Sequence, residues 1–165
     1  MSKIYSIEVK QHIPIDIDTA WNFFSCPNNL LKICPPNFNV KILSNSDNSN
    51  MYAGQIIQYN ISPLFKIPLF WMTEITQVKE KEFFIDEQKK GPYKLWHHQH
   101  HFKKVEDGVE MVDIVHYQLP LWFLGDLMHS IFLKNKVKEI FKYRKKVIEE
   151  MFGKNEEYTT SIIAK

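Results

Sequence analysis

The run at residues 86–119, DEQKKGPYKLWHHQHHFKKVEDGVEMVDIVHYQL, constrains the chain most. Two alternating segments flank Asp107-Gly108, and an Asp-Gly pair in that setting favours a two-residue type I′ turn whose twist matches the strands it joins. The run therefore reads as one long hairpin. Pairing Glu106 with Val109 would place Phe102 opposite Asp113, His100 opposite Val115 and His98 opposite Tyr117. Side chains alternate along a strand, so Trp96, His98, His100 and Phe102 share a face with Met111, Asp113, Val115, Tyr117 and Leu119. This is the more aromatic and aliphatic face, and it is predicted to turn inward. His98, His100, Asp113 and Tyr117 then enter an apolar interior and form the candidate site. A one-residue change in the turn would exchange the partner face and bring His116 beside His98.

The remaining segments read as a container for that face. Residues 3–13 alternate and are rich in β-branched side chains, as a strand requires, and Pro14 ends them. Asp16 or Asp18 can cap a short helix that buries Ala20, Trp21, Phe23 and Phe24. A second helical turn at 30–33 stops at Cys34-Pro35-Pro36, since a residue before proline is driven out of the helical region. Further strands are expected at 38–43, 54–61, 69–79 and 82–88, with the solvated run SNSDNSN and an interrupted connection at 63–68 between them. Trp71, Thr73 and Ile75 share one face of their strand, and Glu74 lies on the other. After Pro120, the apolar segment LWFLGDLMHS leads into a long helix. Its stripe comprises Leu127, Ile131, Lys134, Val137, Phe141, Arg144, Ile148 and Met151, and Gly153 ends it. The last residues, KNEEYTTSIIAK, are expected to be a flexible tail.

These elements predict an α+β fold: a curved seven-stranded antiparallel sheet wrapped around a long C-terminal helix, with two short helices after the first strand. One domain over residues 1–152 is expected, and 165 residues suffice for a core without metal or disulfide staples. A formal net charge of +2 gives no nucleic-acid signal. Cys26 and Cys34 lack a CxxC spacing and are expected to be reduced thiols. The N-terminal run alternates instead of forming a signal-peptide core, which predicts a cytoplasmic protein. The apolar stretches at 61–72 and 119–133 are too short and too interrupted to span a bilayer.

One set of residues carries a family resemblance. It begins with Met51-Tyr52-Ala53-Gly54, Pro63, Ile67-Pro68-Leu69 and Trp71. It continues through Phe84-x-Asp86-Glu87-Gln88-x-x-Gly91-Pro92-Tyr93-x-x-Trp96-x-His98-x-His100-x-Phe102, then Gly108, Asp113, Tyr117, Pro120 and Ile140-Phe141-x-Tyr143-Arg144. Over about residues 3–152 the chain resembles the SRPBCC superfamily, also called START-like or birch-allergen-like. More narrowly, it resembles the small bacterial branch described as ligand-binding or cyclase/dehydrase-like. The resemblance implies a helix-grip fold and an internal pocket for a hydrophobic or amphipathic small molecule. It implies no agreed substrate or reaction, and a fold does not settle function.

The pocket expected from these readings is lined by Trp71, Trp96, Phe102 and Phe141, with His98, His100, Asp113 and Tyr117 as its polar part. Asp86 and Gln88 either join the lining or cap the loop at 89–92. The four polar residues could equally form a satisfied network that fixes strand register. An inward Asp113 would favour a protonated neighbouring histidine, raising the pKa of His98 or His100. HHQHH invites a zinc reading, but alternation turns His97 and His101 away, leaving at most two converging histidines with Asp113 as a third ligand. No metal and no cofactor is expected. Neither cysteine has the flanking groups of a nucleophile. There is no glycine-rich phosphate loop, and a Ser-His-Asp set would need an arbitrary serine.

The leading expectation is a protein that binds a lipid, isoprenoid or polyketide-like molecule, with its apolar wall supplying affinity and the polar cluster orienting one end. Residues 51–54 and 121–124 are the candidate gates. The alternatives are a cyclase/dehydrase-type enzyme using His98, His100, Asp113 and Tyr117 in catalysis, and a regulatory domain touching a protein or membrane. Weak peripheral contact through the lysine-rich helix and Leu121, Trp122, Phe123 and Leu124 would suit the last.

Overall fold

The chain opens with strand β1 (Tyr5–Ile13), and its long hairpin consists of β6 (Leu95–Val105) and β7 (Gly108–Gln118). In the computed structural model, residues 3–44, 49–62, 67–120, 134–156, 158 and 160–164 are described. After β1 come α1 (Ile17–Phe24) and α2 (Leu30–Ile33), then β2 (Lys41–Ile42), β3 (Ile56–Ile61), β4 (Leu69–Lys79) and β5 (Phe83–Lys90). The hairpin follows, and α3 (Lys134–Phe152) and β8 (Ser161–Ala164) close the order. The sheet runs β2-β3-β4-β5-β6-β7-β1-β8, and every neighbouring pair is antiparallel.

The hairpin forms, but in another register. Its turn is Glu106-Asp107, and Val105 pairs with Gly108. Phe102 therefore faces Met111, His100 faces Asp113, His98 faces Val115 and Trp96 faces Tyr117, a two-residue correction to the expected pairing. Gly108 is needed for a different reason from the one the turn motif suggests. Its φ is +147°, and a Cβ there would run into the Ile13 carbonyl oxygen of the neighbouring strand. A shift of two leaves each side chain on its own face. The inward set survives, and His98, His100, Asp113 and Tyr117 are all buried.

Two more expectations change. Residues 38–43 yield only the two-residue β2, because Pro36–Phe38 form a 3-10 turn that ends on Asn39 in a left-handed conformation. The expected flexible tail contributes an eighth strand: Ile7 pairs with Ala164 and Lys10 with Ser161. There Ile162 and Ala164 cover apolar residues beside β1, which gives this edge a reason to order.

The short helices and α3 close the concave side. Asp16 caps α1 by accepting from the Thr19 backbone N–H at 2.9 Å, and Ala20, Trp21 and Phe24 are buried. On α3, Val137, Phe141 and Ile148 are buried and Arg144 falls in the same line, whereas Met151 is exposed. Gly153, at φ +92°, ends the helix and donates to the Glu149 carbonyl. Leu127, Ile131 and the candidate gate at 121–124 lie outside the described residues. The β4–β5 ladder shifts between Met72 and Thr73 and again between Ile75 and Gln77. Such bulges increase local twist and re-aim side chains. No described helix is long and apolar enough to cross a membrane.

Candidate functional site

Sheet, short helices and α3 line a partly open hollow of about 490 Å³. Its wall includes Ile33, Ile61, Leu69, Trp71, Ile75, Trp96 and Phe141, so most of it is apolar. Trp71 and Trp96 meet edge to face at 5.3 Å and Tyr93 packs on both, which makes a rigid aromatic corner. The Trp71 indole N–H donates to the Thr73 hydroxyl at 3.0 Å, so this polar edge is already satisfied. Met51, from the candidate gate at 51–54, also reaches the wall.

One patch of the wall is charged. Asp86 on β5, His98 and His100 on β6 and Arg144 on α3 reach the hollow, and Asp113 on β7 lies behind them. Each carboxylate touches both imidazoles. Asp86 Oδ2 lies 3.0 Å from His100 Nε2 and 3.6 Å from His98 Nδ1. Asp113 Oδ1 lies 3.2 Å from His98 Nε2 and 2.7 Å from His100 Nδ1. The last approach is short but poorly angled for a hydrogen bond, so it acts as an ionic contact. Arg144 Nη1 stands 3.7 Å from Asp113 Oδ1, and its guanidinium lies over the Phe24 ring. Phe84 stacks on His100 at 4.2 Å. Pairing on strands puts these groups together: Asp86 is opposite His98, and His100 is opposite Asp113.

The two imidazoles are driven apart electrostatically. Burial opposes protonation of His100, but contact with Asp113 and then Asp86 outweighs it, and the pKa lies above the ordinary value. For His98 burial prevails, reinforced by the charge on His100, and the pKa is lowered despite both carboxylates. Burial would raise Asp113, yet Arg144 and the histidines hold it well below the usual carboxylate range. Burial would raise Asp86 too, but contact with His100 and the charges of His98 and Arg144 hold it below the ordinary value. With His98 neutral, a protonated His100 and Arg144 balance the two carboxylates. This neutrality is what a buried ionic cluster requires.

Among the residues predicted for the site, Trp71, Asp86, Trp96, His98, His100 and Phe141 line the hollow. Asp113 supports the histidines from behind. Phe102 packs in the core against Trp21 and Phe24, and Tyr117 packs with Tyr5, Val115 and Phe141, so neither is on the wall. Burial and the neighbouring Tyr5 push the Tyr117 phenol up to about 12, leaving it a neutral core group. Gln88 takes the other role open to it: its amide donates to the Tyr93 carbonyl at 2.7 Å and its oxygen accepts from the Tyr93 N–H. It caps the loop. Arg144 and Tyr59 were missed as wall residues. Arg144 had left a signal, a charge set on an otherwise apolar helical stripe. Cys34 lines the hollow, and burial raises its thiol to about 11, against the pull of Arg144, so it stays protonated and inert at neutral pH.

No known protein-family profile matches the sequence, and no curated protein matches it. Solved structures match its fold. Ginseng major latex-like protein 151 from Panax ginseng superposes with a TM-score of 0.65 at 13% identity, over 91% of this chain and 99% of that one. A protein of Chromobacterium violaceum gives 0.68 at 11% identity, over 91% and 98%. Protein Ms6760 of Mycobacterium smegmatis gives 0.62 at 11%, over 88% and 92%. The chain thus shares the helix-grip fold of these proteins, here with eight strands in its sheet.

Proposed function

We propose that the protein binds one amphipathic small molecule, of lipid, isoprenoid or polyketide-like character, in the hollow between sheet and α3. The observation that carries this reading is an apolar wall with one charged patch. The volume of about 490 Å³ falls within the roughly 300–1,000 Å³ of ordinary ligand pockets. Within the patch, Arg144 Nε is buried without a hydrogen-bond partner among the described residues. A buried donor left unmet costs about 1–3 kcal/mol, which a ligand's carboxylate, phosphate or carbonyl oxygen would recover. The apolar body would pack between Trp71, Trp96 and Phe141 while the polar end meets Arg144.

The test is binding of 1-anilinonaphthalene-8-sulfonate, an apolar ring system with an anionic end. Saturable one-to-one binding, lost when Cys34→Phe fills the hollow and unchanged in the outer-face variant His97→Phe, supports the reading. Binding that ignores Cys34→Phe counts against it. Mass spectra of protein purified from cells, native against denaturing, then identify any molecule carried along.

The opposed shifts of His98 and His100 favour a second reading, in which the pair performs acid–base chemistry of the cyclase/dehydrase kind. His100→Ala separates the two readings: it abolishes turnover of a substrate in an enzyme but only weakens binding in a carrier.

A further inference from the structure

Asp86, His98 and His100 share a property that ligand binding leaves unused. Their ligating atoms all lie within 4.8 Å of one another, and the three side chains open on the hollow. Asp86 Oδ2 is 3.6 Å from His98 Nδ1 and 3.0 Å from His100 Nε2. With metal–ligand bonds of about 2.1 Å, such separations subtend roughly 120° and 90° at a central ion, near tetrahedral and octahedral values respectively.

The other side of each ring faces a single carboxylate. Asp113 Oδ1 approaches the second nitrogen of both imidazoles, His98 Nε2 at 3.2 Å and His100 Nδ1 at 2.7 Å. On His98 a carboxylate so placed holds the proton on Nε2 and turns the Nδ1 lone pair towards Asp86. His100 Nε2 donates to Asp86, and an ion binding there would displace that proton and take its place. Both histidines sit at alternate positions of one long paired strand, and the third group comes from the strand beside it. Arg144 faces Asp113 and offsets its charge, so once His100 gives up its proton to the solvent the Asp86 charge and two nitrogen donors remain for an ion. Strand alternation turns His97 and His101 to the outer face, and the carboxylate grouped with the two inner histidines is Asp86, whereas the zinc reading of the sequence, which was not the expectation, drew on Asp113.

We infer that Asp86, His98 and His100 form a binding site for a divalent first-row transition ion such as iron(II) or zinc(II), with open coordination positions facing the hollow. Two imidazoles and one carboxylate suit these ions better than magnesium or calcium, which take oxygen donors. Asp113 is a positioning residue that orients both ligating rings. This site does not depend on the ligand reading: either can fail alone, because the apolar probe reports the hollow and the ion reports the three side chains.

The experiment is titration of the chelator-treated full chain with cobalt(II), read by its visible absorption, followed by displacement with zinc(II) and, without oxygen, iron(II). The expected result is one ion per chain, at least a tenfold loss of affinity in Asp86→Asn, and a loss of about 10–100-fold in Asp113→Asn, which removes no ligating atom. The double variant His97→Ala/His101→Ala, altered only on the outer face, should bind as the parent does. Cobalt(II) should also broaden the ring signals of His98 and His100 in the parent before those of His97 and His101, a readout that needs no variant to fold. Absence of one-to-one binding of all three ions overturns the inference. So does binding that survives in Asp86→Asn and disappears in the outer-face double variant.

Discussion

Residues 97–101 belong to one strand and hold four histidines, yet its two faces place them in different physical settings. On the outer face His97 contacts Glu87 at 2.9 Å, the Gln99 amide donates to His97 Nε2 and its oxygen meets His101 Nε2, all among half-buried groups. On the inner face His98 and His100 are buried between two carboxylates and an arginine. Solvent screens the outer chain, where an ion pair contributes about 0–1 kcal/mol. Water is largely excluded from the inner one, so each charge depends on its partners. The teaching is that residue type matters less than the direction in which the strand points it.

Removing the inner anion should have the largest effect. Asp113→Ala strands Arg144 and a protonated His100 in the interior, and a loss of about 3–5 kcal/mol is expected in urea unfolding. A loss below about 1 kcal/mol would erase the energetic difference between the faces. Arg144→Met should cost less, about 2 kcal/mol by thermal or urea denaturation, because the charged His100 still faces Asp113 and the unpartnered Nε leaves with the guanidinium.

The pH dependence sharpens the comparison next. His100 has a folded pKa above its unfolded value near 6.5, so its stabilisation is fully present below that value and is lost as pH rises through the folded pKa. His98 has a lowered folded pKa, so its contribution runs the other way and stability falls as pH drops from about 6.5 towards that pKa. Asp86 and Asp113, both lowered, stabilise above the unfolded carboxylate range and lose this as pH falls through their folded values. Urea midpoints should therefore decline less between pH 7 and pH 5 in His98→Gln than in the parent; an identical decline would remove His98 from the account. The smallest effect belongs outside: Glu87→Ala should change stability by no more than about 0.5 kcal/mol, measured in the same titration.

Alternation made the faces legible in the sequence, because a period of two assigns Trp96, His98, His100 and Phe102 to one side whichever partner they meet. The partners were not legible. Gly108 looked like a turn residue, whereas contact with Ile13 is what fixes it as glycine, and the pairing moved by two. Asp86 could not be placed across the loop at 89–92, since its side of the site depends on pairing with His98. Phe102 and Tyr117 share the inward face but sit where core packing closes over them, and alternation does not distinguish a packed interior from a wall. The SIIA segment was too short to suggest a strand without the β1 edge that it covers.

The most direct test of the account records histidine ring signals by long-range ¹H–¹⁵N correlation while 1-anilinonaphthalene-8-sulfonate is added to saturation. The account predicts that His98 and His100 shift together and that His97 and His101 stay in place, because the ligand occupies the hollow beside the charged patch. Saturable binding that moves only the outer pair, or neither pair, would contradict it.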